Sequence, residues 1–268
     1  MFQIMIIHLI MRVGNEVIDL AKKMRAADDF LHHLYVHMNE INQFVIFSGL
    51  TFQEFVSSVG PLQNILLLKN EYEDGSFNMH TQLEFVEERS IRKFIKKASD
   101  SKKELCWIDF SDEKRLNLLT PQEQAELLYI GHKKEPVRTP FYHQLQNKYV
   151  YLANEDEKMS KIYFRDLQDV EELLANLFNA IIQEKEKPAT FWRRKVKDSI
   201  PTFTKEMLSS FREEVKDGVL FSMYRIEKPD LAYVLELRNI SDLTFPDEIW
   251  DELNTILKKK AEQIMEVH

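Results

Sequence analysis

Glycine is scarce in this chain. It has six glycines in 268 residues, where an average globular composition would supply roughly three times as many. They stand singly, at Gly14, Gly49, Gly60, Gly75, Gly131 and Gly218. Phosphate-cradling loops need clustered glycines, so that several backbone N–H groups can approach one anion. No Gly-x-Gly-x-x-Gly, Walker loop or Gly-x-Ser-x-Gly elbow is present, so no nucleotide or dinucleotide cofactor is expected. Cysteine is scarcer still. With Cys106 alone, an internal disulfide and a multi-cysteine zinc site are both excluded. Cys106 lies in Glu104-Leu105-Cys106-Trp107-Ile108-Asp109-Phe110, which reads as a strand with the thiol as a small buried hydrophobe.

Long apolar runs are missing too. Met1 to Met11 is apolar, but it lacks a basic leading region and an Ala-x-Ala cleavage site and is too short to span a bilayer. No later window is both long and uncharged, so the chain reads as cytoplasmic with no membrane partner, and Met11 stands as an alternative start to Met1. Low-complexity tracts are also lacking. What the chain does have is an ordinary globular mixture, 44% hydrophobic and 30% charged, with a net charge of -8. That balance supports a packed core and argues against a protein built chiefly to coat nucleic acid.

Hydrophobic periodicity organises the rest. Val17, Leu20, Met24, Ala27, Leu31, Leu34, Met38 and Ile41 recur at three or four, which predicts a long amphipathic helix over 16–43. Thr51 with Glu54 forms a capping box for a short helix ending near Gly60-Pro61. The texture then changes to hairpins followed by helices. Strands at 64–72 and 77–86 flank the turn Glu73-Asp74-Gly75-Ser76, with a helix over 88–98 behind them. A second unit joins 104–110 to 115–119 and continues into a helix opened by Thr120-Pro121-Gln122-Glu123. A third pairs 148–153 with 161–165 before a helix through Val170 to Ile182. After a helix over 202–216, a fourth pairs 219–227 with 232–238, and a last helix runs over 246–265.

Hairpins imply antiparallel pairing. The expected class is therefore α+β, with one or two antiparallel sheets and helices packed on one face. The expected division is an N-terminal helical segment over 1–60 and an α+β domain of up to four such units over 61–268. Glu184-Lys185-Glu186-Lys187-Pro188 is a candidate linker within it.

Three groups of residues could carry chemistry. On a helix, His33 and His37 are neighbours one turn apart and Asp29 continues the row, a spacing that could offer two imidazoles and a carboxylate to a divalent metal. Leu34 stands where the zinc-protease pattern requires glutamate. The basic run Phe191-Trp192-Arg193-Arg194-Lys195-Val196-Lys197 could stack on a base, grip a phosphate or hold an acidic partner, chiefly through Trp192, Arg193 and Arg194. The loop Pro136 to His143 is stiffened by Pro136 and Pro140 and presents Tyr142 and His143. Paired carboxylates such as Glu87-Glu88 and Glu171-Glu172 fall in turns and first helical turns, where water and the helix dipole account for them.

These features together predict a cytoplasmic binding or regulatory protein acting on another protein, with Trp107, Trp192, Tyr142 or Trp250 as aromatic anchors. Trp107 and Trp250 read better as core. A metal-assisted hydrolase built on His33 and His37, and a nucleic-acid binder built on 191–197, are the alternatives. The sequence carries no signal of oligomeric state.

Overall fold

A computed structural model of the chain describes residues 7–12, 29–69, 72–101, 104–132, 136, 138–153, 159–186, 202–226 and 232–239. Its strands are β1 (Ile7–Arg12), β2 (Asp29–Asn39), β3 (Phe44–Ser48), β4 (Asn64–Leu67), β5 (Ser76–Asn78), β6 (Leu83–Glu87), β7 (Leu105–Phe110), β8 (Tyr149–Ala153), β9 (Met159–Phe164), β10 (Val219–Ile226) and β11 (Ala232–Asn239). Its helices are α1 (Phe52–Val59), α2 (Glu88–Ser101), α3 (Glu113–Leu116), α4 (Pro121–Gly131), α5 (Gln168–Lys185), α6 (Lys205–Ser209) and α7 (Arg212–Asp217). The eleven strands form one sheet in the order β1-β11-β10-β2-β3-β9-β8-β7-β4-β6-β5. Every neighbouring pair is antiparallel. The α+β class with an antiparallel sheet therefore holds.

Strand alternation splits the core into two layers. Val45, Phe47, Leu105, Trp107, Tyr151, Ile162 and Phe164 face one layer, which α1, α2, α5, α6 and α7 complete. Cys106, Ile108, Phe110, Val150, Leu152 and Tyr163 point the other way, against Leu116 of α3, Leu127 and Ile130 of α4, and Tyr142 and Leu145. Helices thus cover both faces, not the single face expected. Cys106 is a buried thiol. Among the described residues no helix is long and apolar enough to cross a membrane.

The helix expected over 16–43 is replaced, where it is described, by the β2–β3 hairpin. Leu34, Val36 and Met38 are buried in the core layer while His33, Tyr35 and His37 alternate with them. Leu31, Leu34 and Met38 also stand three and four apart, so they satisfy a helical period by coincidence. What decides is pairing. β2 sits mid-sheet, bonded to β10 on one side and β3 on the other. The turn between β2 and β3 is closed by Asn39, whose Oδ1 accepts the Asn42 N–H at 2.9 Å, and by Gln43 at φ 51°. Gly49 follows β3 at φ 88°, and a Cβ there would lie 2.5 Å from the carbonyl oxygen of His33. The described part of 1–60 thus supplies β1, β2, β3 and α1 rather than a helical segment, and 13–28 lies outside the described residues.

The later hairpins fare unevenly. β8–β9 and β10–β11 pair as expected. The pairing expected between 64–72 and 77–86 holds in part: β4 bonds to β6, while β5 forms a separate strand on the other side of β6. The segment 115–119 forms no strand, because Asp112 accepts the Lys114 N–H at 2.9 Å and caps α3 instead. The helix expected over 202–216 is two short ones, α6 and α7. Residues 184–186, part of the candidate linker, finish α5 and its cap, while 187–188 and the last helix over 246–265 lie outside the described residues. Glu186 is tied down by Arg225 Nε at 2.8 Å and the Tyr233 hydroxyl at 2.5 Å.

Candidate functional site

One concavity among the described residues is an open groove of about 1500 Å³. It runs between α1 and α2 and around the ends of β4 and β6. α1 forms where its capping box was legible: Thr51 Oγ1 accepts the Glu54 N–H at 3.2 Å and Glu54 accepts the Thr51 N–H at 2.8 Å. Phe52 and Phe55 of α1 are wholly buried against Trp107 and Tyr151. That anchoring turns Gln53, Val56 and Ser57 toward the groove. α2 likewise buries Ile91, Phe94 and Ala98 and lends the groove Arg89, Arg92, Ile95 and Lys96. Val56, Leu62, Ile91 and Ile95 give it an apolar floor, and Glu87, Glu88 and Glu113 stand at its α3 end.

The two flanks of α2 differ in charge satisfaction. On the outer flank Lys93 meets Asp74 at 2.7 Å and Lys97 meets Glu73 at 3.0 Å. On the groove flank Arg89, Arg92 and Lys96 recur at three and four, a spacing that aligns them. Arg89 pairs with Glu87 at 2.7 Å, while exposed Arg92 and Lys96 have no ion-pair partner among the described residues. The groove thus offers apolar area together with two cations, Arg92 and Lys96, and two acids, Glu88 and Glu113, that have no ion-pair partner among the described residues. Sequence reading missed it because its lining comes from three separate stretches, each resembling an ordinary solvated helix face. The Arg89-Arg92-Lys96 spacing was the only available signal.

A second exposed feature lies at the edge of the sheet. β5 is the terminal strand, and Phe77, Met79 and Leu118 around it are 55%, 81% and 57% exposed. The Asn78 Nδ2 to Asn117 Oδ1 hydrogen bond of 3.1 Å holds the two loops together.

The residues singled out from sequence are dispersed. Tyr142 is buried at 3% exposure, plugging the lower core, whereas His143 beside it is exposed. The loop is held from below. Asn147 donates to the Pro140 carbonyl at 3.0 Å and accepts the Tyr142 N–H at 2.8 Å, and Arg165 Nε donates to the Asn147 carbonyl at 2.6 Å. Burial pushes the Tyr142 hydroxyl well above its ordinary pKa. His33 and His37 lie on one strand, where a rise of about 3.3 Å per residue puts four residues about 13 Å apart. The strand therefore does not bring them to a common ion. The Nδ1 of His33 is 2.8 Å from the Ser222 hydroxyl. Among the described residues no group of three or more His, Cys, Asp or Glu side chains could hold a metal ion. Asp29 starts β2. Trp192, Arg193, Arg194 and Trp250 lie outside the described residues. Trp107 is fully buried and stacked on Tyr151 at 5.3 Å.

One buried acid was not anticipated. Asp109 ends the β7–β8 ladder, and its carboxylate accepts the N–H groups of Lys148 at 2.9 Å and Tyr149 at 2.6 Å. Desolvation raises its pKa to about 6 despite those bonds. With its oxygens engaged by backbone, Asp109 fixes the start of β8 rather than facing a substrate. Comparison with known proteins adds no assignment: no family model, no curated protein and no solved structure matches the chain.

Proposed function

We propose that this chain is a binding or regulatory protein of the cytoplasm that acts by engaging another protein through the α1–α2 groove. The groove carries the reading. Small-molecule pockets are concave sites of about 300–1000 Å³ that enclose most of their ligand. This one is larger at about 1500 Å³ and open to solvent, with an apolar floor and charged rims, the anatomy of a protein interface. Glu87, Glu88 and Glu113 at one end and Arg92 and Lys96 along one wall make it a surface of mixed sign, suited to selecting a partner by charge.

Native mass spectrometry of the protein purified gently from its own host tests this. The expected result is a second polypeptide at fixed ratio, lost on Val56→Asp but kept on Gln183→Glu, a change on the exposed side of α5. A chain that emerges alone, or carrying only a metal or small ligand, would refute the proposal.

A further inference from the structure

We infer that the chain pairs with a second copy of itself through the β5 edge of its sheet, the two β5 strands running antiparallel about a two-fold axis. This surface shares no lining residue with the α1–α2 groove, so either can be lost without the other.

The sheet leaves this edge open. β5 is its last strand and, among the described residues, bonds only to β6. An edge strand presents backbone N–H and C=O groups that another strand can satisfy, and folded chains commonly guard such edges with lysine, proline or an inward charge. None of these stands in β5 or the turn after it, Ser76 to Gln82. β5 is only three residues long, so its backbone alone cannot hold a dimer and the side chains around it decide.

Those side chains are apolar. Of the six large hydrophobic residues exposed among the described ones, five are Phe77, Met79, Leu118, Leu128 and Tyr129. Hydrogen bonds draw their two stretches together, Asn78 Nδ2 to Asn117 Oδ1 at 3.1 Å and His80 Nε2 to the Leu119 carbonyl at 2.8 Å. Gln124 donates to the same carbonyl at 3.1 Å, and Leu128 lies one helical turn beyond it. Exposed apolar clusters of this kind mark interaction surfaces. By their exposed fractions the five offer on the order of 500 Å² per copy, most of the roughly 800 Å² per partner that a standard interface buries.

Charge selects the occupant. Copies of a chain at -8 repel one another where charged surfaces meet. Here they meet none, because Gly75 to Leu83 and Leu116 to Gln122 contain no Asp, Glu, Lys or Arg. The four charged residues that bound these stretches are engaged within the fold. Asp74 pairs with Lys93 at 2.7 Å, Glu84 accepts the Tyr72 N–H at 2.7 Å, Arg115 donates to the Gln144 carbonyl at 3.2 Å, and Glu123 accepts the Thr120 N–H at 2.8 Å. A nucleic acid or a partner chosen by its charge finds nothing to read on this surface. A second copy brings the same uncharged edge, and two-fold pairing satisfies both edges at once.

Sedimentation velocity of the full-length chain across about 1–100 μM tests this. A monomer–dimer equilibrium is expected, little changed between low and high salt because no charges face each other. Phe77→Lys with Met79→Lys should weaken the dimer at least tenfold, and so should Leu118→Glu, with circular dichroism unchanged in each. Ile41→Lys, at the exposed apolar side chain outside this surface, should leave it intact. Amide hydrogen exchange in β5 should slow at dimer-forming concentrations. A monomer throughout, a dimer that survives the Phe77 and Met79 substitutions, or β5 exchange independent of concentration would overturn the assignment. So would a different polypeptide, found on a monomer of the chain in its host and lost on Phe77→Lys with Met79→Lys.

Discussion

Burial penalises whichever form of a side chain carries charge, and the two sign classes act in opposite pH windows here. Desolvation raises Asp109 from an ordinary 3.8 to about 6, against the lowering effect of the Tyr149 and Lys148 amides. Between those values the folded chain keeps a proton that the unfolded chain has released. The stabilisation tied to this group is therefore full below about pH 4 and lost as pH rises to about 6, on the order of a few kcal/mol. Urea unfolding at pH 4, 5, 6 and 7 should show the wild-type advantage over Asp109→Asn shrinking across that range and flat above it. A constant difference would show that Asp109 titrates normally. His32 and His37 are shifted the other way. Burial lowers both, opposed for His32 by Glu54 and a hydrogen bond to the Gly49 backbone, and for His37 by Asp217 and the Lys216 backbone. Their contribution is present above the ordinary value of 6.5 and lost as pH falls through the lowered one. NMR titration of the ring protons should place both midpoints below 6.5; a midpoint at or above 6.5 for His37 would contradict its burial.

At the scale of the element, α1 shows how local and non-local terms divide. Its start is set by four adjacent residues, the Thr51–Glu54 box, which is why it was legible without a structure. Its position is set by Phe52 and Phe55, whose rings lie 5.2 to 6.0 Å from Trp107 and Tyr151. Losing the cap should cost about 1 kcal/mol and emptying a buried phenyl site about 3–5 kcal/mol. Thr51→Ala and Phe55→Ala, compared by urea unfolding, should therefore rank in that order; the reverse ranking would mean that α1 is held by its cap rather than its packing. The β2–β3 hairpin is the opposite case. Leu31, Leu34 and Met38 fit both a helical and an alternating period, and only the bonds of the hairpin to β10 and β9, far along the chain, choose between them. The clue nearest to hand was Asn39, whose side chain closes the turn.

For the molecule as a whole, the position of that hairpin matters most. β2 bonds β10 and β3 bonds β9, so the segment from Asp29 to Ser48 joins the two halves of the sheet. A chain cut to 61–268 would leave β10 and β9 facing a gap two strands wide. It should show neither cooperative unfolding nor dispersed amide NMR signals; a folded 61–268 fragment would show that the halves are separable.

The sequence by itself determined the class of the fold, the helix starts at Thr51 and Thr120, the β8–β9 and β10–β11 hairpins and the burial of Cys106. All of these rest on residues adjacent in the chain or on composition. Strand order, the helices on both faces and the groove were decided only by the tertiary structure. The groove joins residues from 53–64, 85–96 and 113. Whether Arg92 and Lys96 find a partner depends on which acids the fold brings within about 4 Å, and no spacing along the chain encodes that distance.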